Sequence, residues 1–465
     1  MKRKLYVAVV LFTFLSLLVG GMGMAQGATS GSQTPPTYAA VFSHAAATSG
    51  ISGTLGPITR KQITGNIYEY STVIKVGPGP YDQFGLHRVV KETASGIPAI
   101  TSNAVMMIHG DAGMFDLTFN PYTQLGGQSL AVALAEDNVD VWGMDLRYTL
   151  VPASTTNFSF MKNWNTALYL SDMKIAVTVC RTVRGLTGNG FGKIIMLGHS
   201  RGAQLTYAYA NQDAVRPAML QDLKGIIPMD FPERLDTSVP AFVYAQGAYN
   251  MLETAMATGT YDSTAGQFMS TVSGLALAYP KALSPVFPPY NNYQACLAAL
   301  TTVTSFPAGT PGVPFFLTLP PQTQFFHLMA GTFDPTTQLP TGLQFAPNPS
   351  GIFAIGTATP PYQSLAEQAD GEAIMLGLPQ AAPYDSNLGK IKIPVFYIGA
   401  GGGVGSYGTY GLKLLGSTNK QSLIVNTYTA DNDLLNYGHM DLLYANNASV
   451  LVWTPICQWI NSNFK

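Results

Sequence analysis

The sequence "GHSRG", residues 198–202, has the residue types that a nucleophilic serine needs. Ser200 stands between Gly198 and Gly202, after an apolar run and before a helix-like run. Small residues on both sides permit a sharp strand-to-helix turn that presents the hydroxyl at a sheet edge. The N–H groups and the dipole at the start of the following helix favour negative charge that develops there. The pattern predicts a nucleophile; a serine in an ordinary turn is the alternative.

A serine hydroxyl is a poor nucleophile unless an imidazole accepts its proton. The chain has six histidines. Only His439, in "YGHMDLL", falls in a loop between a late strand and the last helix, where it can reach the sheet edge. We therefore predict that His439 is the base, although a histidine near a helix start is the other interpretation. Asp441 is predicted to cap that helix.

Strand-like and helix-like segments alternate around these residues, which is typical of an α/β fold with a mainly parallel sheet. The strand-like segments are 67–76, 85–92, 103–110, 139–146, 192–200, 223–230, 391–400 and 421–430. The helix-like segments are 123–138, 164–186, 203–212, 410–417 and 440–460.

The alternation is interrupted once, after the sixth strand-like segment, by residues 231–390, which are rich in Pro, Thr and aromatic residues. We predict a twisted, mainly parallel sheet flanked by helices. Residues 61–230 and 391–465 would be the core, and residues 231–390 a cap inserted into it.

The N-terminal segment has the pattern of a secretory signal peptide. A basic start is followed by an uncharged apolar run that ends in the small-x-small sequence Gly23-Met24-Ala25. We predict that residues 1–25 are cleaved and that the protein is secreted, to the extracellular space or the periplasm. An uncleaved anchor is the alternative, since residues 5–25 approach membrane-spanning length. Residues 26–60, small and polar, are predicted to be a loosely ordered lead-in.

Composition excludes several classes of function. A net charge of −1 with only 11% charged residues leaves no basic face for nucleic acid. The three cysteines, Cys180, Cys296 and Cys457, allow at most one internal disulfide and lack metal-ligand spacing. The Gly-rich run at 401–405 does not meet the dinucleotide-binding spacing. We expect no metal, no cofactor, and membrane contact only through the N-terminal segment.

Three motifs in this order make the chain resemble a secreted α/β-hydrolase of the serine esterase or lipase type. They are "IHGDAG" after the third strand, "GHSRG" after the fifth and "YGHMDLL" near the C-terminus. The resemblance covers about residues 65–230 and 391–465.

The resemblance implies an α/β-hydrolase fold with Ser200 as the nucleophile and His439 as the base. It also implies that the backbone N–H groups of Asp111 and Arg201 bind the oxyanion. A Gly-rich turn at a strand end is the other interpretation of "HGDAG". A serine at position 200 excludes relatives that use an aspartate nucleophile, such as haloalkane dehalogenases and epoxide hydrolases.

The acid is where the sequence departs from the commonest pattern of this family, which places an Asp after the strand that follows the cap. Residues 393–408, which include this strand and the turn after it, contain no carboxylate. Some members carry the acid one strand earlier, and Asp230 ends the strand that neighbours the nucleophile's strand. We predict Asp230 as the acid, with Asp433 and Asp431 as alternatives. A hinge residue at the start of the cap is the other interpretation of Asp230.

The aromatic residues of the predicted cap indicate the class of substrate. Its aromatic side chains would form an apolar pocket over the sheet edge, or only the cap's own core. These residues are Phe242, Tyr244, Phe315, Phe316, Phe325 and Phe326. The leading hypothesis is a serine hydrolase that cleaves hydrophobic carboxylic esters, from small molecules or lipid-like compounds, through an acyl-enzyme on Ser200. An amidase or peptidase of the same fold and a non-catalytic binding protein with this fold are the alternatives.

Overall fold

A computed structural model describes residues 54–288, 290–301, 327–334, 336–337, 339–428 and 435–464. Its strands are β1 Thr54–Leu55, β2 Thr59–Thr64, β3 Ile67–Lys75, β4 Gln83–Ala94, β5 Ile97–Pro98, β6 Asn103–Ile108, β7 Val139–Asp145, β8 Ile194–His199, β9 Leu223–Met229, β10 Asp262–Ser263, β11 Gly331–Phe333, β12 Pro340–Leu343, β13 Gln363–Ser364, β14 Val395–Ala400 and β15 Lys420–Val425.

The α-helices are α1 Phe115–Thr118, α2 Leu130–Glu136, α3 Thr166–Leu186, α4 Arg201–Asp213, α5 Pro240–Ala257, α6 Ala265–Ala278, α7 Asn292–Thr301, α8 Pro349–Thr357, α9 Leu365–Leu376, α10 Ala382–Asp385, α11 Gly405–Leu414, α12 Asp441–Tyr444 and α13 Thr454–Asn463. Short 3₁₀ helices cover Arg147–Leu150, Ser159–Asn163, Ala218–Leu220, Pro379–Ala381 and Leu388–Lys390, and a π-helical turn covers Ser449–Trp453.

The largest sheet has the strand order β1-β3-β4-β7-β6-β8-β9-β14-β15, with β2 beside β3 and β5 beside β4. The pairs β3/β4 and β4/β7 are antiparallel. From β7 to β15 every neighbouring pair is parallel. The carboxyl ends of these parallel strands therefore meet at one edge, which is where ligands bind in open α/β sheets.

The central strands are buried along their whole length because both faces of the sheet are covered. Every residue of β6, β7 and β8 is buried. On one face, Val105, Val141 and Ile195 join a core cluster with side chains of α2 and α13. Burial of this apolar surface, at roughly 25 cal/mol per Å², is the main source of stability for the strands that carry the site.

The described part of residues 231–390, between β9 and β14, contains helices α5 to α10 and two small antiparallel two-stranded sheets, β10/β13 and β11/β12. Helix α9 packs on α5, and α8 packs on α6. A smaller core cluster joins this insertion to the sheet-side helix α4 through Ala203.

The predicted α/β arrangement with a mainly parallel sheet is confirmed. Two helix predictions were too long. Segment 123–138 is helical only over α2, because Gly126 and Gly127 adopt left-handed φ values of 64° and 97° before it. Segment 440–460 is divided into α12, the π-helical turn and α13. The chain leaves the helix at residues 445–447, and Pro455 lies in the first turn of α13, directly after the π-helical turn.

Part of the predicted N-terminal organisation lies outside the described residues. The predicted signal peptide, residues 1–25, and residues 26–53 of the predicted lead-in are not described. The last seven residues of the lead-in, 54–60, contain β1 and the start of β2. Within the described part of the chain, no helix combines the length and the apolar character needed to cross a membrane. The three cysteines are all unpaired thiols.

Candidate active site

Ser200 lies on a strained turn between β8 and α4, with φ 59° and ψ −132°. A positive φ is unfavourable for a residue with a side chain and persists only where the surroundings impose it. At this turn, backbone atoms lie so close to positions 198 and 202 that neither position has room for a side chain. A Cβ on Gly198 would lie 2.0 Å from the Gly202 oxygen, and one on Gly202 would lie 2.1 Å from the Ile108 oxygen. The two glycines are therefore required by the turn that presents the serine.

The loop 109–113, which follows β6, passes directly against this serine. A Cβ on Gly110 would lie 2.4 Å from the Ser200 Cβ and 3.0 Å from its Oγ. Among the described residues, no protein acceptor binds the backbone N–H of Asp111 or that of Arg201. Both residues line the same cavity as Ser200. Two backbone donors are thus available beside the hydroxyl.

Buried hydrogen bonds hold this loop from behind. His109 Nε2 accepts from the Leu146 N–H at 3.1 Å, and Nδ1 lies 2.9 Å from the Gly110 oxygen. Burial lowers the pKa of His109, so the ring is neutral and one nitrogen can accept. The hydroxyl of Tyr148 also donates to the Gly110 oxygen, at 2.8 Å. These contacts fix the backbone that carries the Asp111 N–H.

His439 and Asp230 form a buried hydrogen-bonded pair, with 2.6 Å between Nδ1 and Oδ2. Asp230 directly follows β9 and has a left-handed φ of 49°. Its Oδ1 accepts from the Ala400 N–H at 2.8 Å and its Oδ2 from the Val404 N–H at 3.2 Å. A Cβ on Gly403 would lie 2.2 Å from Oδ2. The Gly-rich turn after β14 therefore makes room for a carboxylate that arrives from β9.

The structure thus brings Ser200, His439, Asp230, Asp111 and Arg201 to one edge of the sheet. The two alternative acids, Asp431 and Asp433, lie outside the described residues.

Two further histidines, which sequence reasoning left aside, orient His439. The His439 N–H donates to the His327 oxygen at 2.9 Å, and its oxygen accepts from His199 Nε2 at 3.1 Å. The rings of His199 and His439 lie 4.4 Å apart. Burial, with the neighbouring His439, lowers the pKa of His199 well below its usual range. Burial also lowers the pKa of His327 to about 4. His199 could have been found from its place before the serine, but nothing in the sequence marked His327.

Asp441 does not cap α12 as predicted, because it is the first residue of the helix and the cap position belongs to Met440. Its Oδ2 instead accepts from the N–H groups of Gly438 and Ala330, both at 2.8 Å. Burial raises the pKa of Asp441 to about 7. The carboxyl group ties the loop that carries His439 to the segment that follows His327.

The side chain of Arg201 joins the nucleophile's helix to the insertion. It is buried, with Nη2 3.0 Å from Glu372 Oε1 and Nη1 2.6 Å from Gln204 Oε1. A Cβ on Gly371 would lie 1.8 Å from Nη1, so the guanidinium rests on the bare backbone of α9. Burial lowers the pKa of Arg201, but the charges of Asp111, Glu372 and Glu367 outweigh it and the net pKa is raised. From the sequence, only the backbone N–H of Arg201 was expected to have a role.

A cavity of about 670 Å³ lies over the site and is lined by Ser200, His439 and the loop 109–113. Its remaining walls are mostly apolar and come largely from the insertion. These residues include Tyr244, Ala245, Ala248, Met251, Leu252, Ala255, Met269, Ile352 and Ile355. Of the predicted cap aromatics, Tyr244 lines the cavity and Phe242 packs in the smaller core cluster. Phe315, Phe316, Phe325 and Phe326 lie outside the described residues.

One group in the described part of the chain has metal-ligand residue types, namely Glu69, His87 and Asp116, whose ligand atoms lie within 4.8 Å of one another. Both ring nitrogens of His87 already contact carboxylates. Nδ1 lies 2.7 Å from Glu69 Oε1, and Nε2 lies 3.0 Å from Asp145 Oδ2. Asp145 also accepts from the Phe115 N–H at 2.6 Å. The network anchors α1 behind the loop 109–113.

Replacing Gly371 with Ala tests the contact between Arg201 and α9. The methyl group would overlap the guanidinium, so we expect Gly371→Ala to lower the free energy of unfolding in urea by about 1–3 kcal/mol. Gly247→Ala is the matched control, because Gly247 lies in α5 with open space around its notional Cβ. It should raise that free energy by roughly 0.5–1 kcal/mol. Equal stabilisation by both substitutions would contradict the contact.

No protein-family model matches the sequence, and no curated protein matches it. Solved structures do match. A candidate lipase from Sulfolobus solfataricus is 18% identical with a TM-score of 0.57, and the match covers 87% of this chain and 99% of that one.

Two other solved structures match with lower TM-scores. A soluble variant of monoglyceride lipase from Saccharomyces cerevisiae is 12% identical with a TM-score of 0.43, over 89% of this chain and 98% of that one. The enol-lactonase from Burkholderia xenovorans is 9% identical with a TM-score of 0.40, over 82% and 96%. Together, the strand order, the turn at Ser200 and the match to the Sulfolobus protein establish that this chain has the α/β-hydrolase fold.

Proposed function

We propose that this protein hydrolyses carboxylic esters that carry a large apolar group, through an acyl-enzyme on Ser200. The observation that carries the proposal is that Ser200 and His439 line one cavity with mostly apolar walls. Ser200 lies on a strained turn, and His439 is hydrogen-bonded to Asp230. The Sulfolobus protein with the same fold is described as a candidate lipase, which supports the same class of reaction.

In the first half of the proposed reaction, Ser200 Oγ attacks the ester carbonyl carbon while its proton passes to His439. Since Nδ1 of His439 contacts Asp230, Nε2 is the nitrogen that accepts this proton. The carbonyl oxygen becomes an oxyanion and accepts from the N–H groups of Asp111 and Arg201. Each such donor typically contributes about 2.7–4 kcal/mol to transition-state stabilisation. The intermediate then expels the alcohol, which takes the proton from His439.

In the second half, a water molecule attacks the acyl-enzyme and gives its proton to His439. The second tetrahedral intermediate is stabilised by the same N–H groups. It collapses to the carboxylic acid, and Ser200 recovers its proton from His439. The proposed role of Asp230 is to hold the His439 ring in the tautomer with a proton on Nδ1 and to stabilise the imidazolium that forms twice in each cycle.

The walls of the cavity support the proposed substrate class. A volume of about 670 Å³ lies within the range of small-molecule sites, and its apolar side chains from α5, α6 and α8 favour a hydrocarbon group of the ester. The substrate would be a small-molecule or lipid-like ester.

Turnover of p-nitrophenyl decanoate and of decanoyl p-nitroanilide tests the reaction class, and Asp230→Asn tests the acid. We expect ester turnover to exceed anilide turnover. Asn at position 230 cannot hold the required tautomer, so kcat should fall by roughly 10⁴-fold. Asp236→Asn is the matched control, because Asp236 contacts Ser238 in a surface turn that Asn can also form.

Each other result assigns the protein differently. Faster anilide turnover would indicate an amidase or peptidase, and no turnover of either substrate would indicate a binding protein with this fold. A near-normal rate for Asp230→Asn together with an inactive Asp433→Asn or Asp431→Asn would move the acid to that residue.

We also propose that residues 1–25 are a cleaved secretory signal, so that the mature protein begins at Gln26 and is exported to the periplasm or the medium. Mass spectrometry of the N-terminal peptide from the exported protein tests this. Recovery of the intact N-terminus from the membrane fraction would instead indicate an uncleaved anchor.

A further inference from the structure

One wall of the cavity is polar, and it adjoins Ser200. Helix α9 presents Gln368 and Glu372 to the cavity, and Gln363 in β13 lies beside them. Gln368 Nε2 donates to Gln363 Oε1 at 3.3 Å, so the oxygen of the Gln363 amide already has a partner. The Nε2 donor of Gln363 is left to bind another group. Arg201 is the fourth residue of this wall.

Two donors on this wall lack partners although they are buried. Arg201 Nε and Gln363 Nε2 have no hydrogen-bond acceptor in the described part of the chain. Their residues are only 5% and 1% exposed. An unmatched buried donor costs about 1–3 kcal/mol, so native proteins rarely leave one without a ligand or a water. Both residues line the cavity, which makes a bound group there a natural partner.

The charges on this wall restrict which group can bind. Arg201 Nε lies 3.8 Å from Asp111 Oδ2 and 3.9 Å from Glu367 Oε1, and its Nη2 contacts Glu372. Three carboxyl groups around one guanidinium disfavour a carboxylate or phosphate ligand. The N–H donors of Arg201 and Gln363 disfavour an ammonium group. A hydroxyl group accepts from such donors and donates to a carboxyl oxygen, so it matches both.

Because the polar wall adjoins the proposed oxyanion donors, a hydroxyl group bound there would lie close to the reacting ester bond. Asp111 and Arg201, whose backbone N–H groups are the proposed oxyanion donors, also supply the carboxylate and the Nε donor of this wall. We propose that the cavity recognises a free hydroxyl group a few bonds from the scissile ester, through Arg201, Asp111 and Gln363. This inference rests on the proposed function and narrows its substrates to hydroxylated hydrophobic esters, with the hydroxyl on the alcohol part or on the acyl part.

Two pairs of esters test the inference and distinguish the two positions. On the alcohol side, 2-hydroxyethyl decanoate is compared with propyl decanoate, in which a methyl group replaces the hydroxyl. On the acyl side, methyl 3-hydroxydecanoate is compared with methyl decanoate. Each kcat/KM is divided by the rate of the same ester in dilute alkali, which removes differences in intrinsic reactivity. We expect a preference of about tenfold for the hydroxylated ester in one pair, because one hydrogen bond to a charged group contributes about that factor.

Variants link the preference to the wall. Gln363→Met keeps the length of the side chain but removes its donor, so the preference should fall several-fold. Gln368→Met removes the hydrogen bond that orients Gln363 and should lower the preference less, which provides a second variant if the first does not fold. Gln246→Met is the control, because Gln246 contacts Asn250 on α5 and does not line the cavity.

The outcomes separate this inference from the proposed function. If the corrected kcat/KM values differ by less than twofold within both pairs while propyl decanoate is still hydrolysed, the hydroxyl site is overturned. The proposed ester hydrolysis would then stand. A preference that Gln363→Met and Gln368→Met both leave intact would also overturn it. Failure to hydrolyse any of the four esters would overturn the proposed function itself.

Discussion

The hydrogen bond between His439 and Asp230 joins parts of the chain that are 209 residues apart in sequence, and the geometry of the site depends on it. Asp230 leaves β9 with a left-handed backbone, which turns its carboxylate toward the next strand of the sheet. There the N–H groups of Ala400 and Val404 hold it, in space that only Gly403 leaves open. A buried carboxylate is tolerated because all these donors satisfy it. The imidazole is in turn fixed relative to the strand that ends at Ser200.

Arg201 makes the insertion part of the same arrangement. Its guanidinium lies on the backbone of α9 and contacts Glu372, while the backbone of the same residue follows the serine. A displacement of α9 would therefore disturb the helix that begins directly after Ser200. His327, in the middle part of the insertion, is a second link, because its backbone oxygen accepts from the His439 backbone N–H. The walls of the cavity and the reacting groups are thus held together at two points.

Much of this could be predicted from local sequence because the physical causes were local. The continuous apolar runs identified the buried strands, and Gly198 and Gly202 identified the turn at Ser200. Asp230 was correctly placed next to its strand because a carboxylate at a strand end is visible in the sequence. The contacts of Arg201, His199 and His327 could not be predicted, since each depends on packing between segments far apart in the chain. The C-terminal helix was predicted as one element because its apolar residues continue across residues 445–447, where the chain leaves the helix between α12 and the π-helical turn.

Covalent labelling of Ser200 by a serine-directed alkyl phosphonate is the most direct test of the central claim, that this serine is an activated nucleophile. Peptide mass spectrometry of the labelled protein should find the phosphonate on the peptide that contains Ser200. Labelling should be strongly slowed in His439→Ala, which removes the proton acceptor. A folded protein that leaves Ser200 unmodified, or that labels equally fast without the imidazole, would contradict the account.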